Sequence, residues 1–128
     1  MNLPKMTKAV IAAMRLGIMK SGDSGVTWIQ QEVFDGQKYV GSKDYPDVKA
    51  STHAIKAKLG QEKVGIMTGN LRDSFDTHYS SDRLTVTIRG GGKGYGKFNA
   101  IWRIDRLFYK HRAMKSREIM DKEIKKAL

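Results

Sequence analysis

The stretch RLTVTIR at residues 83–89 carries the clearest structural signal in the chain. Its apolar residues, Leu84, Val86 and Ile88, alternate strictly with polar ones. Alternation that is rich in β-branched residues is typical of a strand with one buried face. We therefore predict a half-buried strand here.

A second alternating stretch follows at residues 98–104, after a glycine-rich connection at 90–96. Its apolar positions are Phe98, Ala100, Trp102 and Ile104. Two such stretches separated by turn-forming residues predict paired strands. We expect an antiparallel sheet with a long glycine loop.

Helical patterns flank the predicted strands. Met6, Val10 and Met14 recur at four-residue spacing, which predicts an amphipathic helix over 4–20. The turn formers at 21–25 are expected to end this helix.

A C-terminal helix of about four turns is indicated by Ala113, Met120 and Ile124, with a basic outer face. The element order is helix, irregular middle, strands and helix. This order predicts the α+β class, in one domain over 1–128 whose basic C-terminal helix packs on the sheet.

The middle of the chain has weaker patterns. Two apolar clusters at 27–29 and 32–34 precede an Asp-Gly turn at 35–36, and 41–47 is typical of a surface loop. Residues 48–59 fit either a second helix that ends at Gly60 or an ordered loop. The apolar face of that helix would consist of Val48, Thr52, Ile55 and Leu59.

The composition is strongly basic. The 128 residues include 24 Lys and Arg against 13 Asp and Glu, which gives a formal charge of +11, and there is no cysteine. The absence of cysteine excludes disulfides, cysteine-bearing zinc sites and cysteine nucleophiles. No apolar run approaches the ~18–20 residues that span a bilayer.

The charge is concentrated at the two ends. Residues 1–20 carry +4 and residues 101–128 carry +5, whereas residues 21–50 carry −2. This distribution suits contact with nucleic acid, with an acidic protein or between copies of the chain.

The glycine stretch invites comparison with a phosphate-binding loop, because 91–97 fits G-x-x-x-x-G-K. That motif requires Ser or Thr next, followed by a helix, whereas Phe98 opens a strand-like stretch. We therefore reject nucleotide hydrolysis and predict a flexible interaction loop. Its residues are Gly90, Gly91, Gly92, Lys93, Gly94, Tyr95, Gly96 and Lys97.

No catalytic constellation is evident in the sequence. His53, His78 and His111 lack neighbours at metal-ligand spacing, and the carboxylates are scattered. We expect no enzyme activity, cofactor or metal.

The last predicted helix presents a basic face that suits either DNA contact or simple solvation, with Glu118 and Lys122 as an i,i+4 pair. The residues of this face are Arg112, Lys115, Arg117, Lys122, Lys125 and Lys126.

The most specific motif is TGNLRDSF at residues 68–75. Thr68 suits the N-cap of a short helix, and Leu71 and Phe75 would share one face of it. The motif residues are Thr68, Gly69, Asn70, Leu71, Ser74 and Phe75. The stretch resembles the T-G-x-L-x-x-S segment of phage tail-completion, minor-tail and neck proteins of the virion-morphogenesis type.

The resemblance implies a structural role in the virion. Such proteins join the connector of the head to the tail as rings of six-fold or twelve-fold symmetry. The implied partners are further copies of the chain, connector or portal-side proteins, and tail-tube or tail-terminator proteins, with non-specific contact to passing DNA and no membrane. The alternative is a small basic protein that binds nucleic acid independently of sequence.

Overall fold

The computed structural model describes residues 3–64, 66, 70–90 and 102–128. The predicted α+β class is confirmed, since long helices at both ends accompany a two-stranded antiparallel sheet. The elements in chain order are α1 (Leu3–Trp28), a π-helical segment (Ile29–Asp35), α2 (Ala50–Lys58), α3 (Asn70–Asp73), β1 (Asp76–Tyr79), β2 (Val86–Arg89) and α4 (Ile104–Ala127).

Helix α1 is longer than the sequence pattern predicts. The expected end at 21–25 is wrong, because the chain stays helical through these residues and continues into the π-helical segment. The Ser21 hydroxyl donates to the Ser116 carbonyl of α4 (3.1 Å). Ser24 accepts a hydrogen bond from Arg112. These small polar residues therefore serve as contact points between the helices.

Gly25 shows why small residues are needed there. A Cβ atom at this position would lie 2.7 Å from Cδ1 of Ile88 and 2.9 Å from Cε2 of Phe108. Both distances are too short for real side chains. Because Gly25 has no side chain, β2 and α4 can both approach α1 closely at this position.

Helices α1 and α4 pack as an antiparallel pair, and α4 is 24 residues long instead of the expected four turns. Most contacts of α4 are with α1, and Phe108 of α4 and Ile88 of β2 both lie against Gly25 of α1. Lys20 of α1 donates to the buried Glu123 carboxylate of α4 (2.7 Å). This bond, with a smaller contribution from Lys126, lowers the pKa of Glu123.

The predicted strand at 83–89 is confirmed over Val86–Arg89. Its partner is β1, with Asp76 opposite Arg89 and Tyr79 opposite Val86. The strand predicted at 98–104 is wrong at its last residue, because Ile104 is the first residue of α4. Residues 98–101 lie outside the described residues.

The core is centred on the π-helical segment. Val33 and Phe34 are fully buried, and the Phe34 ring lies against the rings of Tyr45 (6.1 Å) and Phe75 (5.7 Å). The prediction of a surface loop at 41–47 is wrong for Tyr45, which is fully buried and donates its hydroxyl proton to the Val64 carbonyl (2.7 Å). Burial raises the pKa of this tyrosine.

Gln37 connects two parts of the core, directly after the predicted Asp-Gly turn. It has a positive φ of 53°, and its amide nitrogen donates to the carbonyls of Phe34 and Val64. Its amide oxygen accepts the Val64 N–H (2.7 Å). The side chain therefore links the end of the π-helical segment to Val64 through hydrogen bonds to backbone groups.

For residues 48–59 the sequence is compatible with either a helix or an ordered loop. The structure has helix α2 in this stretch, and the helix ends before Gly60 (φ +68°). Its predicted apolar face is wrong, since Ile55 and Leu59 are 58% and 59% exposed. Lys56 is buried instead and donates to the Ile66 carbonyl (2.7 Å). Burial lowers its pKa.

Candidate interaction surfaces

The motif at 68–75 lies at the edge of the core. Leu71 and Phe75 are both buried, although α3 ends at Asp73 and therefore does not include Phe75. The Ser74 hydroxyl donates to the Leu71 carbonyl (2.6 Å). Helix α3 begins at Asn70. Thr68 and Gly69 lie outside the described residues, so the predicted N-cap stays a prediction.

Arg72 within this motif was not singled out by the sequence pattern. Its guanidinium donates to Asp73 and to Asp35, both at 2.8 Å, and these bonds raise its pKa. Asp35 ends the π-helical segment. Arg72 therefore fastens the motif to the end of that segment.

An apolar groove runs between β2 and α4, with α1 as its floor. Its volume is about 1230 Å³. The floor is formed by Ile18, Ser21, Gly22 and Ile29. One wall is formed by Phe75, Val86, Thr87, Ile88 and Gly90. The other is formed by Arg103, Ile104, Asp105, Phe108, Tyr109, Ala113, Ser116, Arg117, Met120 and Asp121.

The edge of β2 at this groove has backbone groups without a strand partner among the described residues. The Ser80 N–H donates to the opposite Thr85 carbonyl (3.0 Å). Hydrogen-bonded and non-hydrogen-bonded pairs alternate along an antiparallel ladder. Thr87 and Arg89 therefore bond to β1, whereas Val86 and Ile88 direct their N–H and C=O groups to the other edge.

Charged residues stand at the rim of the groove. Arg103 donates to Asp105 (2.8 Å), and this bond lowers the pKa of the Asp105 carboxyl. Arg117 and Asp121 lie about three and four turns further along α4. The rim is close to neutral, and the walls between are mainly apolar.

The predicted interaction loop is described only at its first residue, Gly90, which lines the groove. Residues 91–97 lie outside the described residues. Their role in binding stays a prediction.

The predicted basic face of α4 divides into paired and unpaired cations. Arg112 contacts Ser24 of α1, Lys115 pairs with Glu118 (3.7 Å) and Lys126 with Glu123 (3.4 Å). Glu118 thus pairs toward the start of the helix instead of with Lys122. Across the described residues, no ion pair engages Arg117, Lys122 or Lys125, and all three are exposed.

Most carboxylates in the acidic middle of the sequence have a partner within the chain. Four of its five carboxylates have a basic partner. The pairs are Glu32 with Lys38, Asp35 with Arg72, Asp44 with Arg106 (3.9 Å) and Asp47 with His53 (2.8 Å). The sequence suggests an acidic surface at 21–50, and the structure leaves little of it unpaired.

The three histidines have separate environments. His53 bonds to Asp47, His111 stacks on Tyr39 with ring centroids 4.6 Å apart, and His78 lies on β1. Within the described ranges, no cluster of three or more potential metal ligands occurs. Among those same residues, no helix combines the length and apolarity needed to cross a bilayer.

Comparison with protein-family models, with curated protein sequences and with solved structures gives no match. The family resemblance of residues 68–75 therefore stays a prediction from sequence. What the structure adds is a groove beside an edge of β2 that has no strand partner within residues 3–64, 66, 70–90 and 102–128.

Proposed function

We propose that this chain is a structural phage virion protein, an adaptor at the head–tail junction that assembles into a ring of six or twelve copies. The observation that carries the proposal is the apolar groove along the edge of β2, an edge that has no partner in the described part of the chain. The resemblance of residues 68–75 to tail-completion and neck proteins is the reason for placing this ring at the head–tail junction.

The proposed contact is addition of an extended segment from a neighbouring copy to β2. Such a segment would pair with the outward backbone groups of Val86 and Ile88, as in β-augmentation. Its alternate side chains would enter the groove above Ile18 and Ile29 of the floor. The backbone bonds would supply affinity, and the groove walls would select the side chains.

The proposed contact at this edge of β2 would repeat from one copy to the next around a ring. Each copy would present one groove and insert one segment into the groove of the next copy. The interface therefore joins two different surfaces, and the assembly closes into a ring when successive copies are related by the same rotation. The completed ring would hold the connector on one side and the tail tube or tail terminator on the other. The proposal needs no catalytic step.

A groove-filling substitution tests the proposed function. Ala113 lines the groove, whereas the neighbouring Met114 is 67% exposed on the outer face of α4. We expect A113W to abolish ring formation because the indole occupies the space needed by the incoming segment. We expect M114W to form rings as the unmodified chain does.

The measurement is restoration of tailed particles in an extract of infected cells that lacks the chain, counted by electron microscopy. Unmodified protein and M114W should restore attached tails, and A113W should not. Circular dichroism of A113W should match that of the unmodified protein. Attached tails of normal length in the unsupplemented extract would refute the adaptor role, and full activity of A113W would refute the groove as the contact.

Sequence-independent binding of nucleic acid is the second candidate, favoured by the unpaired cations of α4. Replacing Lys122 and Lys125 by alanine should reduce the slope of log affinity for duplex DNA against log salt by about 2. The control is Lys58→Ala, an exposed lysine of α2. An unchanged slope, or no binding at low salt, would exclude this face as a DNA contact.

A further inference from the structure

Helix α1 has a face that points away from both of its main neighbours. A Cβ atom at Gly17 would lie 2.8 Å from Sδ of Met120 on α4, and one at Gly22 would lie 2.9 Å from Cγ2 of Val86 on β2. These contacts fix the directions of α4 and of the sheet. The helical rotation of ~100° per residue leaves a third face, about 100–120° from both directions around the axis.

The third face is a line of exposed residues with an apolar middle and one charge at each end. Its members are Lys5, Ala9, Ala12, Leu16, Met19 and Asp23, which we call the α1 stripe. The spacing alternates between four and three residues, which is the heptad spacing of a seam that packs against another helix. Leu16 is 38% and Met19 is 42% exposed, so the described part of the chain leaves both side chains open to contact.

The apolar middle of the stripe is complementary to itself in an antiparallel pair. When two copies of α1 run in opposite directions and their midpoints coincide at Met14, Ala9 of one copy faces the second copy's Met19. In the same register Ala12 faces the second copy's Leu16. At every level a small side chain meets a large one, so the two seams can interlock at close packing.

The two end charges favour the same register. Lys5 and Asp23 lie nine residues before and nine residues after Met14. An antiparallel pair therefore places each lysine opposite the second copy's aspartate, at both ends of the seam. Asp23 has no ion pair or hydrogen bond among the described residues. A parallel pair would instead place each charge opposite its own kind, and like charges across an interface oppose association.

The cations beside the stripe are directed toward the chain's own elements. The Arg15 guanidinium donates to the Asp82 carbonyl in the turn between the strands (2.9 Å). Lys20 donates to the Glu123 carboxylate of α4 (2.7 Å). Neither side chain is directed across the seam. The charges that a second copy meets along the seam are therefore those of Lys5 and Asp23.

We propose that the α1 stripe joins two copies of this chain as an antiparallel, two-fold pair. The interface is isologous, since the same patch of each copy meets itself and the contact closes after two copies. The stripe and the groove lie on different faces of α1. The pairing therefore goes beyond the proposed ring and does not rest on it.

Single cysteines test the register, because the chain has no cysteine of its own. Ala12→Cys and Leu16→Cys are prepared separately and oxidised in a glutathione buffer, each alone and in an equal mixture. Only the proposed register brings residue 12 of one copy level with residue 16 of the other. Like residues are then displaced by ~6 Å along the axis, which with the gap between the helices is too far for a disulfide. We expect linked pairs in the mixture and about fivefold fewer in either variant alone.

Sedimentation equilibrium of A113W measures the association itself, since rings are not expected in that variant. We expect a mass of twice the 14.4 kDa of one chain. Adding Leu16→Ser with Met19→Ser should weaken the association by about tenfold or more. Adding Met114→Ser, at an exposed position of α4, should leave it unchanged.

Charge reversal tests the contacts at the two ends. Asp23→Lys should weaken the association by about fivefold, because it places two lysines together at each end of the seam. Adding Lys5→Asp to that variant should restore the association. Recovery in the double variant requires that the two residues meet across the interface.

Four results would overturn the proposal. These are equal cross-linking in the mixture and in the single variants, a pair that survives the double serine substitution, no recovery on charge reversal, and a monomer mass for A113W with no cross-links in the mixture. The last result would assign the stripe to a different protein. The cross-linking keeps Ala113 and decides the pairing even where A113W still forms rings, a result that refutes the groove contact alone. Rings without the pair leave the adaptor role intact.

Discussion

Phe34→Ala is expected to destabilise the protein by about 3–5 kcal/mol, because it empties the centre of the core. Phe34 is fully buried, and its ring lies between those of Tyr45 and Phe75. Tyr45 comes from a loop, and Phe75 comes from the end of the motif at 68–75. The substitution therefore removes the contact that joins the π-helical segment to both.

Urea denaturation followed by circular dichroism measures this loss of unfolding free energy. Ile55→Ala is the matched control, since Ile55 is 58% exposed on α2 and its truncation should change stability by only about 0.5 kcal/mol. Equal effects of the two substitutions would show that the region 25–50 has no packed core around Phe34.

Gly25→Leu is expected to cost about 1–3 kcal/mol through overpacking, despite the better helix propensity of leucine. A side chain at this position would collide with Ile88 of β2 and Phe108 of α4. Both neighbours belong to the walls of the groove. The substitution should therefore separate the sheet from α4 as well as lower stability.

Thermal unfolding compares Gly25→Leu with Thr27→Leu, an exposed position two residues later on the same helix. Thr27→Leu should be neutral or slightly stabilising. An increase of Tm in Gly25→Leu would contradict the close approach at Gly25, because only a glycine at an uncrowded position inside a helix gains stability when leucine replaces it.

Much of the architecture follows from local patterns in the sequence. Alternation predicts β2 because Val86 and Ile88 pack toward α1 while Thr87 and Arg89 remain exposed. Helical spacing predicts α1 and α4, although not their lengths. The end of α1 is missed because serine and glycine act there as sites of close approach, and only the neighbouring elements reveal that use.

Other elements have no local signal. Strand β1 has the sequence DTHY, without apolar alternation, and it is recognised only by pairing with β2. Lys56 is buried although lysine favours solvent, because a backbone carbonyl receives its ammonium group. The groove could not be predicted either, since its floor and walls come from elements far apart in the chain.

Copies of this chain are proposed to join through the groove into a closed ring. Native mass spectrometry of the purified protein over a range of concentrations, with electron microscopy of the same samples, tests it most directly. We predict ring-shaped particles whose mass is six or twelve times the 14.4 kDa of one chain, and their loss in A113W. A monomer mass at every concentration, with no rings in the images, would contradict the claim.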